Sequence, residues 1–265
     1  VSILAVGIFT GHWALAGLAT AAVTAGYAAF KIKSLHNPVL RTLKAAGPLS
    51  EGKRAMFPIA EFDGKFYLEL NAREMTEPFI FTATMEKGLA EGWMQRTVQW
   101  PTHIAYFKRV NDAIQLTVKN SKFASANDPR LLETMKNVIP DSVIAHTEIV
   151  EEDPRTGRIA ICLDDILAKD AFRLNNLISY YYTNEMWSRM LSGYAIDDEQ
   201  SQVKGADVFN DHIEVKADMT FISENPSGSA VVTDPRNLQL SVNYSFAKLP
   251  ASEGFTPRPA DPRVG

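Results

Sequence analysis

Two stretches late in the chain alternate strictly between apolar and polar residues. In residues 213–221 every second position is apolar, with charged residues such as Glu214 and Lys216 between them. Residues 238–246 repeat this pattern. A period of two is typical of a β-strand with one buried face. Because each run has one apolar face and the connection is short, we predict that the two strands pair antiparallel with those faces in the core.

The middle of the chain predicts two further hairpins. Residues 104–110 and 114–119 are separated by a short turn, and the second run alternates strictly. Residues 143–150 and 158–163 flank a turn that contains Asp, Pro, Thr and Gly. Each pair indicates two antiparallel strands with a short connection. We expect the rest of the domain to be organised around this β-rich region.

The first part of the predicted domain also has strand signals. Asp63-Gly64 separates two runs, residues 58–62 and 65–70. An Asp-Gly pair favours a tight hairpin because both residues tolerate positive φ. Residues 79–84 are a further strand candidate. The sheet is therefore predicted to begin well before the central hairpins.

Three segments predict helices. Asp128 and Pro129 supply an N-cap and a first-turn proline. The apolar face of the helix that follows would contain Leu131, Leu132, Met135 and Val138. Asp164 and Asp165 predict the cap of a short helical turn, and residues 174–191 carry apolar side chains at helical spacing.

Together these elements predict an α+β fold, dominated by antiparallel β-sheet with a few helices and preceded by an apolar N-terminal helix. A chain of 265 residues, 46% of them hydrophobic, can bury a core without disulfides. Proline and glycine mark residues 31–56 as a connector and residues 250–265 as a Pro-rich linker. Residues 57–249 are then the β-rich domain.

Residues 1–30 contain no Asp, Glu, Lys or Arg. About 20 apolar residues are enough to cross a bilayer as a helix. The segment fits a signal peptide, and it also fits an uncleaved membrane anchor. A buried core helix is the third alternative.

Charge and cysteine content narrow the function classes. The net charge is −4 and no extended run of Lys and Arg occurs, which argues against a general nucleic-acid surface. Cys162 is the only cysteine, so no intrachain disulfide can form. Because it lies inside an apolar strand, we predict a buried and inert thiol rather than a nucleophile.

No arrangement of residues predicts a catalytic, cofactor-binding or metal-binding site. The five histidines are His12, His36, His103, His146 and His212, and no two of them are three or four residues apart. His212 and Glu214 would share a strand face, which predicts a solvated pair rather than a metal site. The remaining candidates are acidic: Asp164-Asp165, and the Asp197-Asp198-Glu199 cluster. Acid–base chemistry is the alternative to their structural interpretation as cap and turn residues.

Several segments together resemble one known family. They are Tyr106-Phe107-Lys108-Arg109 with Ile114-Gln115-Leu116, Ile196 to Ser201 with Phe209 and strand 213–221, Leu249-Pro250, and Pro257-Arg258 with Asp261-Pro262-Arg263-Val264-Gly265. The family is the domain of unknown function that precedes the catalytic domain in bacterial zinc-dependent metalloproteases of the metzincin type. The resemblance covers residues 57–265. Its most specific part is the closing Asp-Pro-Arg-Val-Gly, which in the family leads directly into the protease domain.

The resemblance implies a non-catalytic N-terminal accessory domain of an exported zinc metalloprotease. The family's zinc motif, His-Glu-x-x-His-x-x-Gly-x-x-His, does not occur in this sequence, so zinc is implied only for the catalytic domain that follows. The expected partners are that protease domain, a peptide or protein substrate, and the membrane if residues 1–30 are retained. The expected location is periplasmic or extracellular.

Two other functions remain open. One is a periplasmic or membrane-tethered binding module without catalysis. The other is an enzyme in its own right that uses the acidic residues.

Overall fold

The computed structural model describes residues 37–47, 54–72, 74–91, 94–122, 129–182, 193–226 and 229–250. The predictions for residues 1–30 and for most of the linker 250–265 lie outside these ranges. In chain order the elements are α1 (Pro38–Ala46), β1 (Ile59–Phe62), β2 (Lys65–Asn71), β3 (Phe79–Lys87), β4 (His103–Val110), β5 (Ala113–Val118), α2 (Pro129–Val138), β6 (Ser142–Asp153), β7 (Arg158–Cys162), α3 (Asp164–Leu167), α4 (Leu174–Tyr182), β8 (Ala195–Val208), β9 (His212–Ile222) and β10 (Asn237–Lys248).

All ten strands join one antiparallel sheet in the order β1-β2-β7-β6-β5-β4-β3-β10-β9-β8. The sheet is strongly curved, so that its two ends come close together. The Met56 amide just before β1 donates to the Phe209 carbonyl just after β8, at 3.0 Å. The predicted dominance of antiparallel sheet is confirmed.

The β9–β10 pair is the prediction that the structure confirms most completely. Leu240 lies opposite Met219, and Val242 lies opposite Ala217. The side chains on the apolar faces are all buried: Ile213, Val215, Ala217, Met219 and Phe221 from β9, and Leu238, Leu240, Val242, Tyr244 and Phe246 from β10. Alternation alone was enough here because both strands have one face in the core and the other outside it.

The predicted hairpins β1–β2, β4–β5 and β6–β7 are also present. Asp63 and Gly64 have φ values of 52° and 73°, as a primed turn requires. Asn111 has a φ of 54° between β4 and β5, and Gly157 has a φ of 70° between β6 and β7. The turn residues therefore set the strand connections as expected.

Two predicted faces differ from the structure. The register between β5 and β6 shifts between Leu116 and Thr117, so Thr117 is buried and Val118 is only half-buried. In α2 two of the four residues of the predicted apolar face are exposed, Leu131 by 48% and Val138 by 71%. Local periodicity identified the helix, and the side chains of the other two residues, Leu132 and Met135, are not described.

A helix inside the predicted connector was not foreseen. Helix α1 buries Val39, Leu40 and Leu43 against Ala160 of β7. This forms a small core separate from the main one. The long helix predicted over residues 174–191 is helical through Tyr182, and residues 183–192 lie outside the described ranges.

The main core is rich in aromatic side chains. Phe79 is the centre of one cluster, with its ring 5.2 Å from the ring of Phe107, 5.5 Å from Phe246 and 5.8 Å from Phe57. These residues come from three strands and the segment before β1. None of the described helices has both the length and the hydrophobicity needed to cross a membrane.

Candidate functional site

Asp164, one of the acidic candidates, is a structural residue that links distant strands. One carboxylate oxygen accepts a hydrogen bond from the Phe66 amide of β2 at 3.1 Å, and the other accepts from the Val203 amide of β8 at 2.8 Å. The prediction that Asp164 caps its own helical turn is wrong, because Leu163 holds the N-cap position and no side chain caps α3. Asp164 instead connects strands near the two ends of the sheet.

The other acidic candidates also have local partners. The Asp165 carboxylate accepts from the Thr147 hydroxyl at 3.3 Å and pairs with Lys169 at 3.2 Å. Asp197 lies inside β8, at a shift in register with β9. Its carboxylate accepts from the Glu199 amide at 3.1 Å, so it stabilises the irregular backbone there.

His212 and Glu214 have separate partners rather than a shared ligand. His212 Nδ1 lies 2.8 Å from Asp211, and its ring stacks on Phe209 with centroids 4.3 Å apart. Glu214 accepts a hydrogen bond from the Asn243 side-chain amide. Over the described part of the chain, no three His, Cys, Asp or Glu side chains are grouped so that they could hold a metal ion.

Cys162 has the setting predicted for it. The side chain is buried at the end of β7, and burial raises the pKa of the thiol. Because the thiolate is the reactive form, this environment disfavours nucleophilic chemistry at neutral pH. The candidates His12 and His36 lie outside the described residues.

A groove lies at the end of the sheet where β10 terminates. We call it the exit groove, with a volume of about 530 Å³. Its apolar lining comes from Met56, Phe57, Pro78, Phe79 and Leu249. Phe57 and Phe79 are buried and form the base, whereas Pro78 is exposed and Leu249 is 38% exposed. An accessible apolar lining of this kind suits a partner side chain or segment.

Charged residues of both signs surround the exit groove. Arg54 pairs with Glu74 at 3.4 Å and lies 3.6 Å from Glu69. Glu77 and Lys248 also line the groove, and neither is within 4.0 Å of an oppositely charged side chain of the described ranges, although the charge of Lys248 helps to lower the pKa of Asp211. One carboxylate and one ammonium group are thus available to a charged partner.

The apolar surface continues beyond the groove to the turn between β8 and β9. Phe209 in that turn is 43% exposed, and its carbonyl binds the Met56 amide at the groove. The Lys248 amide binds the Asp211 carbonyl at 2.8 Å, which holds the end of β10 beside the same turn. The turn that carries Phe209 is therefore held beside the groove that Leu249 lines.

A second recess adjoins the groove at Pro78. It is also lined by Tyr106, Lys108, Lys119 and Asp141. The Tyr106 hydroxyl donates to Asp141 at 2.8 Å, and burial together with this bond raises the pKa of Tyr106 to about 12. The phenol of Tyr106 is therefore uncharged at neutral pH, and Lys108 and Lys119 supply two positive charges to the recess.

Sequence reasoning missed the exit groove because its lining comes from three separated segments, residues 54–57, 74–79 and 248–249. None of these segments carries a motif. The one signal available was Phe209, a large apolar residue beside a turn, which is a position that usually favours polar residues.

Fold and groove together define an antiparallel β domain with an accessible groove at one end of the sheet. The model of the domain of unknown function DUF5117 matches residues 99–265, and the chain belongs to that family. The match begins at Gln99, so strands β4 to β10 lie inside it and β1 to β3 precede it. Neither the comparison with curated proteins nor the comparison with solved structures gives a match. Membership of a domain of unknown function is thus confirmed, and the link to zinc metalloproteases stays a prediction.

Proposed function

We propose that this chain is a non-catalytic accessory domain that packs against a following zinc-dependent protease domain, in an exported protein. The observation that carries the proposal is the position of the exit groove. Leu249 lines the groove, so whatever follows Pro250 starts at an accessible apolar surface. A domain joined there needs only a short connection to cover Phe209 and Leu249.

The acidic residues support an accessory role. Asp164 and Asp197 each accept backbone hydrogen bonds that stabilise the sheet. A carboxylate engaged in this way is held by the fold and is poorly placed to exchange protons with a substrate. This favours the accessory function over an enzyme that acts through the acidic residues.

The closing Asp261-Pro262-Arg263-Val264-Gly265 supports the identity of the partner. In the family that this chain resembles, such a stretch leads into the protease domain. Zinc would then be bound by three protein ligands of that domain, with an open position for water. No residue of the present chain is assigned to the metal.

Reading the gene beyond the codon for Gly265 tests the proposal. We expect an open frame that encodes His-Glu-x-x-His within the next few hundred residues. A stop codon directly after Gly265 would overturn the proposal and favour a free-standing binding module, in which the exit groove serves a separate protein.

Metal analysis gives a second test. The chain through Gly265 should retain no stoichiometric zinc and should not cleave casein. The extended protein should hold zinc and lose its cleavage activity when a chelator is added. Tightly held zinc in the shorter chain, with activity that a chelator abolishes, would show that this chain is itself the enzyme.

A further inference from the structure

We propose that the exit groove binds the Pro-rich tail of this same chain, residues 251–265, so that the tail becomes part of the surface offered to the next domain. This deepens the proposed function and rests on it for the role of the groove as a docking site. The tail begins one residue beyond Pro250, next to the groove. The effective concentration of the tail at the groove is therefore high, because a short tether joins the tail to the groove.

The tail and the groove both carry charges that could pair with each other. Lys248 lies at the point where the chain leaves β10, and Glu77 lines the groove in a segment far away in sequence. In the tail, Glu253 comes first and Arg258 follows. An extended tail that leaves Lys248 and passes over the groove would place each charge near its opposite.

An aromatic residue lies between these two charges in the tail. Phe255 is six residues beyond Leu249, a reach of about 20 Å for an extended chain. The groove that Lys248 and Glu77 line also has apolar side chains, among which Met56 is half-buried and Pro78 is exposed. Phe255 would remove this surface from water, and burial of its phenyl ring would favour binding.

The prolines of the tail reduce the cost of binding. Pro257, Pro259 and Pro262 have φ fixed near −65° by the ring, so less conformational freedom is lost when the segment is held. Proline-rich segments are bound in this way by grooves with aromatic walls. In the exit groove the accessible apolar side chains are those of Pro78 and Leu249, and the buried rings of Phe57 and Phe79 lie beneath them.

The test uses the full chain with a nitroxide label on Thr256→Cys. Cys162 is buried and its thiol pKa is raised, so the label attaches at the new position alone. We expect the amide signals of Met56 and Glu77 to be lost through relaxation, and those of Ser223 and Arg236 at the other end of β9 and β10 to be retained. Equal loss at both ends, or no loss at the groove, would overturn the proposal.

Substitutions make the test specific. Phe255→Ser should restore the groove signals, whereas Val264→Ser, the same kind of change outside the proposed contact, should leave them broadened. Glu77→Lys should weaken the effect, and Glu77→Lys combined with Arg258→Glu should recover it. A double variant no better than Glu77→Lys alone would contradict the pairing and the proposed path of the tail.

The result is independent of the gene sequence beyond Gly265. The label experiment contains no downstream domain, so tail binding can fail while the protease assignment is supported. Tail binding can equally succeed in a chain that ends at a stop codon.

Discussion

The main core and the small core beneath α1 are held together by different kinds of interaction. In the main core, buried strand faces such as those of Met219 and Val242 pack in regular register. In the small core, α1 is fastened by charged side chains. Glu151 accepts the amides of Val39 and Leu40 at 3.3 and 3.0 Å, and Arg158 donates to the Leu40 carbonyl at 2.9 Å.

This difference shows which parts of a fold a local pattern can specify. For a strand in the main core, the alternation of apolar and polar residues over a few positions is enough to identify the buried face. The attachment of α1 depends on side chains more than a hundred residues further along the chain, since Glu151 is 111 residues from Leu40. The predictions below test whether the two regions respond to substitution as this difference requires.

The largest effect is expected in the main core. Met219→Asp and Val242→Asp would each bury a charge without a partner and should lower the free energy of unfolding by more than about 4 kcal/mol. Urea denaturation measures the loss. Lys216→Gln on the polar side of β9 is the matched control and should cost less than about 1 kcal/mol, because its ion pairs are at the surface. Equal costs on the two sides would mean that the assigned faces are wrong.

The second-largest loss of stability is expected when the ion pair beneath α1 is broken. Glu69 is 3% exposed and pairs with Arg158. Arg158→Met leaves that carboxylate buried, with only the more exposed Arg54 nearby, and should cost about 3 kcal/mol. The double variant with Glu69→Leu should recover most of the loss, because it removes both charges. If the double variant is as unstable as the single one, the pair does not hold this region.

Asp170 is a buried carboxylic acid in a protein whose core is otherwise mainly apolar. Its titration predicts that the free energy of unfolding depends on pH. Its carboxylate accepts the amides of Leu174 and Asn175, yet burial outweighs these bonds and raises its pKa from 3.8 to about 6. The folded chain therefore holds this proton at higher pH than the unfolded chain does. The stability contributed by the protonated group is fully present below pH 3.8 and falls as pH rises through about 6.

The expected fall is about 3 kcal/mol, from the size of the pKa change. Asp170→Asn cannot ionise, so the stability of this variant should vary less between these pH values. At a fixed pH it loses one of the two amide hydrogen bonds, because an Asn side chain has a single acceptor oxygen. Denaturation at a series of pH values checks both statements, and parallel curves for the two proteins would show that Asp170 is not the group responsible.

The smallest effect is expected at the N-terminus of α1. Glu151→Ala removes the acceptor for two helix amides and should cost about 1 kcal/mol. Glu148→Ala on the same strand is the control, since that side chain is exposed. Hydrogen exchange should accelerate in α1 and not in β9. Acceleration in both would mean that the small core does not open independently.

The sequence predicted the fold where each segment carries its own signal. The β9–β10 pair and the turns at Asp63-Gly64 and Gly157 depend on alternation or on positive φ, both of which are local properties. Helix α1 was missed because proline and glycine nearby indicate a connector, while the capping carboxylate of Glu151 is remote. The exit groove could not be predicted, since Met56, Pro78 and Leu249 become neighbours only when the sheet curves.

The most direct test of the central claim is hydrogen exchange on this chain, alone and extended by the polypeptide that follows Gly265 in the gene. The claim is that the next domain packs at the end of the sheet marked by Phe209 and Leu249. We expect amides in residues 207–212 to exchange more slowly in the extended protein, and amides in residues 229–237 at the opposite end to be unchanged. Slower exchange confined to residues 229–237, or no change at either end, would contradict the claim.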